Sequence, residues 1–251
     1  MNMTNSLFGK PRGVKIYRGA YEYLKNDNIY AEENFEVFRD PNDMGIHFVA
    51  QQMARVSTGE ILRINMDYII NKDFIPQFVS IEKILGKDHV KELYAFDKKA
   101  NIVLYEYESK TFRKQEELIV TPKFHIATPL TCTSCLFIKS KKEDPTSKNI
   151  YLTLKSFNNW NYMDTPQMQV LTLQRMSTTS ENIMISGNSV SGLRYNIFEE
   201  EQEDVNNPKK KIINPPVIKL TLSKYSSIPY ILQTNDGIKV QIKYFNDLEP
   251  D

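Results

Sequence analysis

The chain has 251 residues, 41% hydrophobic and 25% charged, with 32 basic and 31 acidic side chains and a formal net charge of +1. That length and apolar content provide for one large domain with a substantial core, and exclude a disordered or low-complexity chain. The balance of charge, with no recognition motif, argues against nucleic acid as a partner.

Two cysteines exclude a disulfide framework. No apolar run approaches the roughly 18 residues of a membrane-spanning helix. The N-terminal stretch MNMTNSLFGKPRGVKIYRGAYEYL breaks its apolar run too early for a secretory signal. The expectation is a cytoplasmic protein, or a periplasmic one if a leader has been removed. The 14 Tyr and 13 Phe, against one Trp, favour a pleated, half-buried surface over a helical one.

In chain order, period-two runs begin near 29–39 and 45–56, divided by the turn cluster Asp40-Pro41-Asn42-Asp43. Over 60–70, Leu62, Ile64, Met66, Tyr68 and Ile70 share one face, and Arg63, Asn65 and Asp67 the other. Runs near 74–85, 90–97 and 101–108 follow, the last two parted by Asp97-Lys98-Lys99-Ala100-Asn101. Residues 128–139 (TPLTCTSCLFIK) lack alternation and read as a short helix or a buried turn. Alternation resumes over 149–157, 168–176 and 189–198. The like-charge blocks and prolines of 199–216 (EEEQEDVNNPKKKIINPP) then read as a mobile surface loop. The chain closes with 217–224, Tyr230 to Gln233, a hairpin signal at Asn235-Asp236-Gly237, and 238–245.

One apolar and one polar face per run marks an antiparallel sheet wetted on one side. About a dozen such strands on short loops give a meander, because consecutive strands usually pair. The predicted fold class is therefore all-β, a single domain over 1–251 with one large antiparallel meander sheet.

Few residues suggest chemistry. Cys132 and Cys135, with His125 before them, lack the further ligands of a zinc site and read as buried thiols. No metal or other cofactor is expected, and no catalytic residue can be named. His89 falls in a turn, whereas His47 and His125 lie in strands and could face a concave surface, as a general base or as packing residues. The adjacent pairs Glu32/Glu33 and Glu116/Glu117 would point to opposite faces and read as solvated, as do Glu82 and Lys83. Rings recur along the strands. Tyr94, Phe96, Tyr105, Tyr107, Trp160 and Tyr162, with His47 and His125, are the candidate ligand-binding residues if the sheet curves enough to gather them.

The order of features resembles the periplasmic lipoprotein-carrier proteins and their uncharacterised half-barrel relatives. Residues 60–85 with 91–107 are similar to that family's central meander, and 128–138 to its short helical insert. Ile228-Pro229-Tyr230 with 238–244 is similar to its closing strand pair. The resemblance implies a sheet curved into an open half-barrel with a short helix or loop plug. It carries over no functional residue. The expected function is a soluble binding protein holding a lipid or other apolar small molecule on the concave face. The alternatives are a cofactor-free enzyme in which His47 or His125 moves a proton, and a protein-interaction module that uses a sheet edge or the charged loop.

Overall fold

The computed structural model describes residues 11, 13–185, 187–198, 215–223 and 226–249. The stretch 199–216, expected to be a mobile loop, lies outside them apart from Pro215 and Pro216.

Strands occupy 62% of the described residues. In chain order they are β1 (Val14–Lys25), β2 (Asn28–Arg39), β3 (Ile46–Arg55), β4 (Ile61–Ile70), β5 (Pro76–Leu85), β6 (Asp88–Asp97), β7 (Ile102–Ser109) and β8 (Arg113–Ile119). There follow the two-residue β9 (His125–Ile126), β10 (Lys148–Lys155), β11 (Gln167–Arg175), β12 (Glu181–Ile185) and β13 (Asn188–Phe198). The last three are β14 (Ile218–Ser223), β15 (Pro229–Thr234) and β16 (Ile238–Asp247). Between β9 and β10 the expected plug takes the form of two 3-10 turns, Thr131–Thr133 and Leu136–Ser140.

All strands among the described residues belong to one sheet, ordered β8-β7-β6-β5-β4-β3-β2-β1-β16-β15-β14-β13-β11-β10-β9, with β12 beside β13. The meander holds over β1–β8, but the sheet is not a single uninterrupted meander. β1 takes β16 as its second neighbour, from Tyr17↔Asp247 to Lys25↔Ile238, and so splices the two halves. β9 pairs with β10 in parallel, His125 opposite Thr153.

This order dictates the curvature. Strands β8 and β9 are the two ends of the path, yet only residues 120–124 connect them. That linker reaches about 20 Å at full extension, whereas a flat sheet of this width would separate its edges by about 65 Å. The sheet must therefore roll until its edges approach. β9 sits inside the roll, where His125 stacks on Tyr68 of β4 with centroids 5.6 Å apart. The barrel remains open, as expected.

Local chemistry explains individual strands. Tight turns tolerate positive φ at Asn26 (51°) and Asp27 (63°) between β1 and β2, and at Gly237 (83°) between β15 and β16. Gly19 on β1 is required by its neighbour, because a Cβ there would lie 2.4 Å from the Phe35 ring. Two apolar clusters fill the roll. The larger holds Tyr21, Phe35, Met66, Tyr68, Val79, Tyr94 and Tyr105; the smaller holds Tyr151, Leu173, Tyr195, Ile197 and Leu220. The plug serves both, with Leu130, Cys132 and Leu136 in the first and Cys135, Phe137 and Ile138 in the second.

Candidate functional site

The inner face carries three polar arrangements that lock the interior. On β6, Glu92 Oε2 accepts hydrogen bonds from the Tyr94 hydroxyl at 3.1 Å and the Tyr105 hydroxyl at 2.9 Å. Burial, followed by the Glu92 charge, raises the pKa of both phenols, so they stay neutral donors. Lys83 turns inward as well, reaching Glu92 Oε1 at 3.5 Å and the Asn158 carbonyl at 3.2 Å. The solvated reading of Lys83 is corrected: its strand alternation with Val79 and Ile81 sets it on the core face, where a carboxylate receives it.

Asn158 organises the loop that covers these strands. Its amide donates to the Tyr105 hydroxyl at 2.9 Å and the Asp164 carbonyl at 2.8 Å, and its Oδ1 accepts the Met163 N–H at 2.6 Å. Tyr107 donates to the Asn159 carbonyl at 3.1 Å, and Tyr162 donates to Glu116 at 2.8 Å. Trp160 and Tyr162 thus pack onto the core beside the turn between β7 and β8. Five of the predicted rings, Tyr94, Tyr105, Tyr107, Trp160 and Tyr162, do come together. They come together as packed core with its hydroxyls committed.

The second arrangement escaped the sequence reading. Glu33, expected to be solvated, is fully buried on β2. Its carboxylate accepts the backbone N–H of Thr131 at 2.8 Å and of Cys132 at 2.9 Å, together with the Tyr23 hydroxyl. An exposed Glu32 beside it gave no hint of this, since strand neighbours look alike in sequence while facing opposite ways.

In the third, His125 Nδ1 lies 3.0 Å from the Tyr68 hydroxyl, while Nε2 is buried without a partner among the described residues. Burial lowers the pKa of the ring to about 3, so it is neutral at physiological pH and poorly suited to moving protons. His47 is elsewhere. It precedes the inward Phe48 and therefore projects from the opposite face, where Nε2 meets Asp67 Oδ1 at 2.7 Å. It does not join the concave residues. Cys132 and Cys135 are free and buried, and burial raises both thiols, Cys135 to about 12. No cluster of three or more metal-ligating side chains occurs among the described residues.

Two openings among the described residues are a recess of about 260 Å³ beside Tyr195 and Leu222 and a cleft of about 490 Å³ at one end of the roll, the roomier of the two. This cleft lies between the β4–β5 turn, the β6–β7 turn, the link after β8 and the end of the plug, and Phe74, Ile75, Phe96 and Pro122 supply its apolar surface. Phe96 is the one predicted ring that lines it; Trp160 and Tyr162 belong to the other end. Phe74 is held in the left-handed region, at φ 59°. Asn71 enforces this by accepting the N–H groups of Asp73 at 2.9 Å and Ile75 at 3.0 Å on Oδ1. An aromatic residue in that region is unusual and costs about 1 kcal/mol. Four lysines, Lys72, Lys98, Lys123 and Lys139, border the same cleft.

No protein-family model and no curated protein matches the sequence. Among solved structures, the chain is similar to a β-barrel-like protein of the domain of unknown function DUF1849 from Brucella abortus. The TM-score is 0.56 at 7% identity, over 95% of this chain and all (100%) of that one. A DUF1089 family protein from Pseudomonas aeruginosa aligns with a TM-score of 0.42 at 8% identity, over 92% and 94% of the two chains. The first likeness speaks to fold alone. It puts the chain with barrel-like proteins and contains nothing specific to lipoprotein carriers. No helix among the described residues is long and apolar enough to cross a membrane.

Proposed function

We propose that the protein is a binding protein whose ligand, a lipid or another largely apolar small molecule, enters the cleft at the open end of the roll. The observation that carries this reading is the cleft itself. Its volume of about 490 Å³ falls within the usual size of ligand pockets, and it offers half-buried Phe74 and Phe96 next to an interior whose other rings are committed. The site thus moves from the middle of the concave face to its mouth. The two unpaired thiols are consistent with a reducing compartment such as the cytoplasm.

Burying about eight methylenes against that floor is worth about 6 kcal/mol. Taken alone this corresponds at best to a Kd of about 40 µM, before the cost of ordering the chain. Native mass spectrometry of the purified protein, followed by extraction of whatever copurifies, is the direct test. Titration with a fluorescent acyl probe complements it. The reading expects saturable binding that Phe96→Ala weakens about tenfold. Absence of saturable binding, or binding indifferent to Phe96, would reject the cleft as the site.

A further inference from the structure

We propose that the cleft recognises an oxyanion, a phosphate or a carboxylate, as the head of its ligand. This rests on the binding role above and names the chemistry of the molecule bound. Four ammonium groups against the single carboxylate of Asp73 leave +3 around the cleft, in a chain whose total is only +1.

The lysines come from four separate segments. Lys72 belongs to the turn between β4 and β5, Lys98 to the turn between β6 and β7, Lys123 to the link after β8, and Lys139 to the end of the plug. All four are exposed, and none forms an ion pair among the described residues, nor does Asp73. Some lysines on the sheet are countered, as Lys15 is by Glu36 at 2.7 Å and Lys243 by both Glu22 and Glu32 at 3.1 Å, and what sets the cleft apart is four uncountered ones gathered at one opening. A set of uncompensated cations around a concave, partly apolar surface focuses the field into the cleft, which raises the local concentration of anions. Lysine suits this task because its ammonium is a mobile point charge that follows an oxyanion without demanding planar geometry.

Floor and rim are also ordered in depth. Phe74 and Phe96 pack against the buried cluster, while the lysines stand outside it. A molecule lying along the cleft therefore sets its apolar part inward and its charged head at the rim. Because the lysines are exposed, their attraction is screened by salt over about 8 Å at physiological ionic strength.

The full chain and its Lys98→Gln/Lys123→Gln variant are titrated with dodecyl phosphate, dodecanol and inorganic phosphate at low and high salt. A Lys110→Gln variant, at the opposite end of the roll, is the control. The inference expects dodecyl phosphate to bind at least tenfold tighter than dodecanol. It expects the double variant to lose that advantage while retaining dodecanol affinity, and high salt to reproduce the loss in the parent chain. If dodecanol binds as tightly as dodecyl phosphate, the oxyanion inference is overturned and the binding role stands. If inorganic phosphate binds as tightly as dodecyl phosphate, the oxyanion inference is supported with a free anion as its source, and the apolar reading falls. If none of the three binds, both are rejected.

Discussion

Glu33 on β2 accepts the backbone N–H of Cys132 at 2.9 Å, so one buried carboxylate fastens the plug to the wall of the roll across nearly a hundred residues of chain. Burial raises the pKa of this carboxyl, opposed by the hydrogen bonds from Tyr23 and the plug amides. Glu33→Ala leaves the buried N–H of Cys132 without an acceptor and strips the Thr131 N–H and the Tyr23 hydroxyl of their charged one, leaving them only their mutual contacts. The expected loss is about 3–5 kcal/mol of stability, read by urea unfolding. A loss below about 1 kcal/mol would show that the plug is held by its apolar contacts alone.

His125 gives a pH signature. Its folded pKa of about 3 lies below the ordinary 6.5, so the unfolded chain binds the proton more readily. The stability it contributes is fully present above pH ~6.5 and declines as pH falls, by about 1.4 kcal/mol per unit, until the folded pKa is reached. His125→Phe removes this dependence. Nε2 has no partner to lose and the Tyr68 hydroxyl keeps its Ile126 contacts, so losing the Nδ1 hydrogen bond costs about 1 kcal/mol at pH 7. In unfolding curves, His125→Phe should be slightly the less stable protein at pH 7, match the parent near pH 5.5 and be the more stable one at pH 4.5. Parallel curves would contradict the assignment.

Strand content and direction were legible wherever one face is wet. The run 60–70 maps onto β4, 238–245 onto β16, and Asp236-Gly237 onto the expected hairpin turn between β15 and β16. β1 escaped notice because Gly19 and Ala20 break its alternation and a bulge near Lys15 shifts its register. β8 escaped because it is an edge strand, Arg113-Lys114-Gln115-Glu116-Glu117, whose charges protect an unpaired border instead of marking a buried face. The pairing of β1 with β16 leaves no local trace at all. At the proposed site, Phe96, which lines the cleft, was already among the rings read from the strands. The four lysines looked like ordinary turn residues, since only the curl of the sheet brings positions so distant in sequence to one opening.

The thiols should behave as packing groups. Burial holds Cys132 and Cys135 protonated, and they belong to different apolar clusters. A thiol reagent should label neither in the folded protein at pH 8 and both in denaturant. Replacing the two with Ala should cost about 1–3 kcal/mol. Fast labelling of the native protein would refute this.

Asn158 should govern the loop carrying Trp160. Asn158→Ala removes its hydrogen bonds to Tyr105, Met163 and Asp164, three groups on both sides of the loop's contact with β7. The expected outcome is a loss of about 2–4 kcal/mol and a red shift of the single tryptophan's emission as the loop lifts. Unchanged emission would mean that the aromatic contacts of Tyr162 hold the loop unaided.

The splice of β1 to β16 has a consequence for synthesis on the ribosome. Strands β1 to β8 can zip together hairpin by hairpin as they emerge, but the free border of β1 stays bare until β16 has been translated. During that interval the nascent sheet presents a long unsatisfied backbone ladder, the kind of template on which neighbouring chains assemble. Closure must then join segments more than 200 residues apart in sequence, a slow, high-contact-order event. Loss of the β16 segment would thus leave a polypeptide prone to clump instead of a shortened working one.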